Sequence, residues 1–183
     1  MRIEAGKMNI DRIINRIYEE TLIIPDYQRS FCWDKAKIDL LIDSVLNDIV
    51  IGTFQFRLVG NTMEVVDGCH RLRVLIDVIY GNGFYFDFET CTFTQDSRYF
   101  DYSAMVCGVT RRPSKLPLTM SKEEFDKLID AHDKFYMRLE LLHFTYVGTD
   151  EEIKVAFNRI NSAGVAFTPK FQKVDKSSIF KIK

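Results

Sequence analysis

Apolar residues recur every three or four positions in five segments of the chain, the spacing that places them on one face of a helix. Residues typical of helix starts precede three of these segments, at Asp34, Ser121 and Thr149. The predicted helices cover residues 8–18, 34–47, 71–79, 122–132 and 153–160.

Short runs of alternating or continuous apolar residues predict strands between these helices. The predicted strands are 22–24, 53–59, 63–66, 84–88, 91–93 and 144–147. The Gly60-Asn61 pair joins two of them into a hairpin whose second strand leads directly into Asp67. Residues 135–142 fit either a strand or a helix.

No internal repeat and no long linker divides the chain, so we predict one α+β domain over residues 1–169. A lysine-rich tail, residues 170–183, follows this domain and has few periodic apolar positions. We expect the tail to fray or to pack only through Phe171 and Phe180.

Reactive side chains cluster where the second hairpin strand runs into a predicted helix, in the segment Asp67-Gly68-Cys69-His70-Arg71. The first N–H groups of a helix lack intrahelical partners and carry partial positive charge, so a helix start attracts anions. Gly68 permits close approach of the backbone, and Arg71 adds a cation. This segment predicts a phosphate site, and it also fits an ordinary turn with an aspartate cap.

Composition narrows the class of protein but not its ligand. The 183 residues are 46% hydrophobic, enough for a buried core, and the formal net charge of −1 does not require a nucleic-acid partner. The cysteines at 32, 69, 91 and 107 form no CxxC pair, which argues against a zinc site or a disulfide framework. Without a membrane-spanning run or a secretory signal, the sequence predicts a soluble, cytoplasmic protein with no membrane partner.

Three separated segments match the pattern of one family. They read IPDYQRSFCW at residues 24–33, DGCHRL at 67–72 and AFNRINSAGV at 156–165. Together they resemble the N-terminal domain of GmrSD-type restriction enzymes, which has a central DGQQR motif. The resemblance covers about residues 10 to 169, and DGCHR stands where the DGQQR motif belongs.

The resemblance implies a ParB/sulfiredoxin-like fold, a small mixed sheet with packed helices, in which the central motif contacts nucleotide phosphates. It implies a nucleoside triphosphate and Mg²⁺ as cofactors, in nucleotide-dependent restriction of modified foreign DNA. DNA and a nuclease of the HNH type, in a following domain or a partner, are the implied partners. The histidines at 70, 132 and 143 lack metal-ligand spacing, so we do not expect this chain to cleave DNA alone.

The resemblance also assigns roles to individual residues. Asp67 would position Mg²⁺ or an attacking water, although it also fits a helix cap. The implied nucleotide contacts are Gln28, Arg29, Gly68 and Arg71, with further polar contacts from Asn158, Arg159 and Asn161. Arg71 fits bidentate phosphate binding or a salt bridge to Asp67 or Asp43, and Arg29 fits a stacking role on Trp33 or Tyr27.

The central motif departs from the family at Cys69 and His70, which stand in place of two glutamines. Gly68-Cys69-His70-Arg71 is similar to the Gly-Cys-His-Arg signature of sulfiredoxins, whose cysteine is a nucleophile. A thiol at a helix start beside an arginine is expected to have a lowered pKa. His70 fits a hydrogen bond to phosphate or base, or one to a local carbonyl. The catalytic candidates are therefore Asp67, Cys69, His70 and Arg71.

Three functions follow from these observations. The first is a nucleotide-binding domain, with hydrolysis left open, in a restriction or anti-phage system. The second is a non-catalytic module that binds DNA or protein through Arg111, Arg112 and the lysine-rich tail, since residues 111–115 predict an exposed basic loop. The third is a thiol enzyme that uses Cys69.

Overall fold

The computed structural model describes residues 1–26, 28, 30–106 and 111–162, which form seven strands and five α-helices. The strands are β1 (Arg2–Asn9), β2 (Leu22–Ile23), β3 (Phe54–Val59), β4 (Thr62–Asp67), β5 (Tyr85–Asp87), β6 (Thr92–Thr94) and β7 (Glu140–Val147). The helices are α1 (Ile10–Tyr18), α2 (Lys35–Leu46), α3 (Cys69–Tyr80), α4 (Lys122–Asp133) and α5 (Asp150–Ser162). A 3₁₀ turn spans Ser103–Met105, and a π-helical segment, Lys134–Arg138, continues α4. The predicted α+β class is confirmed.

The main sheet is mixed and has the strand order β1-β7-β3-β4-β2. Strands β1 and β7 run antiparallel, as do β3 and β4, whereas β3 pairs with β7, and β2 with β4, in parallel. The predicted hairpin forms β3 and β4, with an irregularity between Gln55 and Phe56. Strands β5 and β6 form a separate two-stranded sheet. This arrangement brings the end of β4, and with it Asp67, beside the middle of the sheet.

The core lies on one face of the main sheet. Phe54 and Phe56 of β3 are fully buried there, together with apolar side chains of α1, α2 and α3. Tyr146 lies on the other face, because its neighbour Thr145 is the register partner of Phe56. A smaller cluster on that face joins Tyr146 to Val66 and to Ile153 of α5. Helix α5 therefore covers the sheet beside the residue that precedes Asp67.

The predicted starts of α2 and α4 are confirmed by their caps. Asp34 Oδ1 accepts a hydrogen bond of 3.0 Å from the Lys37 N–H. Ser121 Oγ accepts from the Glu124 N–H at 3.2 Å, while Glu124 Oε2 accepts from the Ser121 N–H at 2.9 Å. These bonds satisfy helix N–H groups that would otherwise lack partners.

The N-terminal prediction was partly wrong. Helix α1 begins at Ile10, and residues Arg2–Asn9 form β1, which the sequence pattern did not predict. Met8, predicted to lie in the helix, is instead the one buried position of this strand. The strand forms because all eight of its residues pair with β7, more than 130 positions away. Its own sequence has no clear alternation that would reveal it.

The predicted exposed basic loop at residues 111–115 is corrected in its first two residues. Arg111 forms an ion pair with Asp11 of α1, and Arg112 Nη2 lies 2.6 Å from Asp133 Oδ2 at the end of α4. Ser114 and Lys115 are exposed as predicted. The two arginines hold the loop to the helices, so they do not form the free basic surface that the DNA-binding alternative needs.

The predicted boundary at residue 169 and the tail at 170–183 lie outside the described residues. Within the part of the chain that the structure describes, no helix has both the length and the apolar content needed to cross a bilayer.

Candidate functional site at the start of helix α3

The predicted strand-turn-helix at residues 67–71 is present. Strand β4 ends at Asp67, Gly68 is the N-cap residue with φ 99°, and α3 begins at Cys69. A Cβ added at Gly68 would lie 2.4 Å from Cδ1 of Phe54. A glycine is therefore required at position 68 for two reasons. The backbone there is left-handed, and the Phe54 ring fills the space that a Cβ would occupy.

The first turn of α3 contains N–H groups that have no acceptor within the helix. The first intrahelical bond runs from the Leu72 N–H to the Gly68 carbonyl, at 2.9 Å. The preceding N–H groups, those of Cys69, His70 and Arg71, belong to the turn that lacks intrahelical acceptors. No described side chain caps this helix start, so the predicted aspartate cap is not formed. The result is a helix end with the donors and partial positive charge that suit an anion.

Arg71 ties the helix start to the segment before β3. Its Nη1 donates to the Ile51 carbonyl at 2.7 Å, and its Nη2 donates to the Thr53 carbonyl at 2.8 Å. Nη2 also lies 3.0 Å from Asp67 Oδ2, so Asp67, and not Asp43, is the carboxylate that pairs with Arg71. The guanidinium carbon sits 4.4 Å from the centre of the Phe54 ring. These contacts use three of the five guanidinium N–H groups, so Arg71 is first of all a structural clamp, with 17% of its side chain exposed.

Burial lowers the pKa of Arg71, and the nearby Asp67 carboxylate opposes that shift. The side chain remains a cation at neutral pH because an arginine starts from such a high pKa. The positive charge of Arg71 therefore lies at the helix start beside Asp67. Because Arg71 is mostly buried, water screens the attraction between the two charges only in part.

Gln28 reaches the motif from the preceding loop, as the resemblance implies. Its side chain is buried, and Nε2 donates to the carbonyls of Val65 and Val66 at 2.9 and 2.8 Å. The amide nitrogen therefore anchors the loop to the end of β4. Arg29, the second predicted contact from this loop, lies outside the described residues.

The loop places aromatic rings around His70, which is the second residue of α3. The ring centroid of Phe31 lies 5.3 Å from that of His70, with 31° between the planes. The Trp33 centroid lies 5.9 Å from it at 19°. We call Phe31, Trp33 and His70 the aromatic cluster. Cys32 Sγ lies 3.5 Å from His70 Nε2, so an exposed thiol adjoins the imidazole.

The predicted lowering of the Cys69 pKa was wrong. Burial raises the pKa of the Cys69 thiol to about 11; the positive charge of Arg73 opposes this rise, and the Asp67 carboxylate adds to it. The sequence suggested a lowered pKa because Cys69 lies at a helix start near an arginine. The loss of hydration on burial raises the pKa by more than these two features lower it. Cys69 is a protonated thiol at neutral pH.

Asp67 is the carboxylate of the site and is about two-fifths exposed. The Tyr146 hydroxyl donates to Oε1 of Gln55, which is the register partner of Asp67. Burial raises the pKa of Tyr146, and the charge of Asp67 adds to the rise. Among the described residues no group of three or more His, Cys, Asp and Glu side chains is placed to hold a metal ion.

Helix α5 carries residues 156–162 of the late family segment, and residues 163–165 lie outside the described residues. Asn158 and Arg159 lie on it and are exposed, while the side chain of Asn161 lies outside the described ones. The structure joins α5 to the motif through Val66 and Ile153. It does not place Asn158 or Arg159 in contact with Asp67 or Arg71 in any described interaction.

The sequence did not reveal the residues that fix the position of Arg71. Ile51 and Thr53 accept hydrogen bonds from Arg71 through their backbone carbonyls, which no side-chain pattern reveals. Phe54 lies under the Arg71 guanidinium, and its sequence position indicated only a core residue. Ile51 and Gly52 also line a cavity of about 300 Å³ together with residues of α2, β1 and β7. None of the predicted site residues that the structure describes lines this cavity.

These features define an α+β domain whose candidate site is built at a strand-to-helix turn. The family model described as "GmrSD restriction endonuclease, N-terminal domain" matches residues 10–171. The chain belongs to this family, as its motifs predicted.

One curated relative matches a short part of the chain. A stretch of 54 residues is 35% identical to an uncharacterized protein of Methanocaldococcus jannaschii. It covers 30% of this chain and only 9% of the archaeal protein. No solved structure matches the chain.

Proposed function

We propose that this chain is the nucleotide-binding domain of a restriction system and that it holds the phosphates of a nucleoside triphosphate at the first turn of α3. The observation that carries the proposal is the helix start at Gly68, which no described side chain caps and which directly follows Asp67. Backbone N–H groups at such a turn are donors for phosphate oxygens.

The charges at this turn fit a metal-bound triphosphate. Mg²⁺ in phosphate sites is commonly held by one or two carboxylates, with phosphates and water supplying the other ligands. Asp67, partly exposed at the end of β4, is such a carboxylate, and Arg71 fixes its position with a bond of 3.0 Å. When bound, Mg²⁺ would neutralise phosphate charge and orient a water for attack.

Cys69 does not serve as the nucleophile in this proposal. Its thiol stays protonated at neutral pH because burial raises its pKa to about 11. If the bound nucleotide is hydrolysed, the groups that orient water are Asp67 and His70, which flank the turn. Within a restriction system, DNA and a nuclease domain or subunit are the partners we propose, on the strength of the family to which the chain belongs.

The test is calorimetric binding of each nucleoside triphosphate, with Mg²⁺ and with EDTA. Asp67→Asn keeps the size of the side chain and removes its charge, and Asp96→Asn is the matched control, because Asp96 forms an ion pair with Arg98 outside the site. We expect Asp67→Asn to weaken Mg²⁺-dependent binding at least about tenfold. In EDTA the same variant should bind as well as the native chain or better, since a repelling carboxylate is gone.

Two results would contradict the proposal. One is a native chain that binds no nucleoside triphosphate under either condition. The other is an equal effect of Asp67→Asn and Asp96→Asn, which would remove the link between the carboxylate at the turn and the metal-bound ligand. A thermal unfolding curve of each variant establishes that the loss of binding is not a loss of fold.

A further inference from the structure

We propose that the aromatic cluster of Phe31, Trp33 and His70 is a stacking surface for the base of the nucleotide. This inference rests on the proposed function and extends it, because it concerns the part of the ligand that phosphate contacts do not reach. It assigns a ligand contact to Phe31, and also to Trp33, which the sequence suggested only as a stacking partner for Arg29.

The ring of His70 pairs with both of the other rings. The Trp33 ring is stacked with it, at 19° and with centroids 5.9 Å apart, and the Phe31 ring is tilted by 31° with centroids 5.3 Å apart. These distances are within the range of favourable aromatic pairs. Trp33 and His70 are thus close to parallel, and the tilted ring of Phe31 adds an aromatic face against which a further planar ring can pack.

The cluster remains open to solvent although it is apolar. Phe31 is 46% exposed, and Trp33 is partly buried against the core, so Trp33 supports the stack while Phe31 faces outward. An aromatic surface that is partly exposed and lies beside polar groups suits a planar ligand. The buried amide of Gln28, with two backbone bonds at the end of β4, fixes the loop that carries Phe31.

The position of the cluster relative to the helix start identifies the occupant. His70 contributes both a ring of the cluster and an N–H group of the first turn of α3. One residue therefore joins the apolar surface to the anion site. A ligand with a flat ring at one end and phosphates at the other has this combination of chemistry, and a nucleotide is such a ligand.

Stacking sets the specificity that we expect. Ring faces are alike in all bases, so a stacking site tolerates many bases, and purines bind more tightly because their rings are larger. Loss of a base that stacks on an aromatic side chain weakens binding by about 5- to 150-fold. Inorganic tripolyphosphate, which has the phosphates without a base, should therefore bind more weakly than ATP or GTP.

The fluorescence of Trp33 reports on the cluster directly, because Trp33 is the single tryptophan of the chain. We would titrate the full chain with ATP, UTP and tripolyphosphate in Mg²⁺, and measure the heat of binding in parallel. Phe31→Ala removes the exposed ring, Phe31→Tyr retains a ring, and Tyr99→Ala is the control for loss of an aromatic residue that is also exposed, at 41%.

The inference is supported if ATP changes Trp33 fluorescence, tripolyphosphate binds without that change, and Phe31→Ala weakens ATP binding but not tripolyphosphate binding. Phe31→Tyr and Tyr99→Ala should then bind ATP as the native chain does. If ATP and tripolyphosphate bind equally, with no effect of Phe31→Ala, the stacking surface is refuted while the phosphate site stands. If the native chain binds neither ligand, the proposed function and this inference both fail.

Discussion

Replacing Gly68 by alanine is the sharpest test of how the candidate site is built. The new Cβ would lie 2.4 Å from Phe54 Cδ1 and 2.9 Å from Cε1, in a fully buried ring that also supports the Arg71 guanidinium. The left-handed backbone costs about 1–2 kcal/mol for a residue with a side chain. Overpacking of a core adds about 1–3 kcal/mol. We expect Gly68→Ala to lower the free energy of unfolding by about 2–5 kcal/mol.

Gly60→Ala is the matched control. Gly60 also has a positive φ, 60°, but a Cβ there has no neighbour within 4 Å. It should cost only the backbone contribution, about 1–2 kcal/mol. Urea unfolding followed by Trp33 fluorescence measures both variants, and the difference between them isolates the contact with Phe54.

A double-mutant cycle completes the test. In a Phe54→Ala background the space beside Gly68 is empty, so Gly68→Ala should cost no more than Gly60→Ala does. The expected coupling between positions 54 and 68 is about 1–3 kcal/mol. If Gly68→Ala and Gly60→Ala destabilise equally in the native background, the described packing of the turn is wrong.

Three further predictions concern the thiols, the buried histidine and the Arg71 clamp. Iodoacetamide should label exposed Cys32 before Cys69, whose pKa is raised to about 11; peptide mass spectrometry measures this order, and faster labelling of Cys69 would favour a thiol enzyme. Burial lowers the pKa of His132 below 6.5, so the unfolded state takes up the proton first and stability should fall as the pH drops below about 6.5. In urea unfolding, His132→Phe should lose less unfolding free energy than the native chain when the pH is lowered. An equal loss in both would show that His132 is not the cause. Arg71→Lys keeps the charge but not the paired bonds to Ile51 and Thr53, so it should lower the unfolding free energy by about 1–3 kcal/mol, and a neutral result would contradict the clamp.

The local parts of the fold were predictable because they depend on neighbouring residues. The caps at Asp34 and Ser121 act over three positions, and the Gly60-Asn61 hairpin over two. Strand β1 was missed because it forms through β7, at the far end of the chain. The same reason explains Arg111, which read as an exposed cation and pairs with Asp11, 100 residues away.

In the candidate site, too, the local features were predictable from the sequence and the long-range contacts were not. The strand-turn-helix at Asp67 and Gly68 was visible in the sequence, as was the arrival of the Gln28 loop through the family resemblance. The environment of Cys69 was not, because the pKa of a thiol depends on burial by residues from the whole fold. The partners of Arg71 at Ile51 and Thr53 are carbonyls, which every residue has.

The most direct measurement is a titration of ¹⁵N-labelled chain with ATP and Mg²⁺, followed by amide chemical shifts. We expect the largest shifts at the N–H groups of Cys69, His70 and Arg71, because these groups donate to the phosphates in the proposed complex. Shifts confined to Lys7 and residues 49–52, which line the separate cavity, would place the ligand elsewhere and contradict the account. An absence of shifts at saturating ATP would contradict it as well.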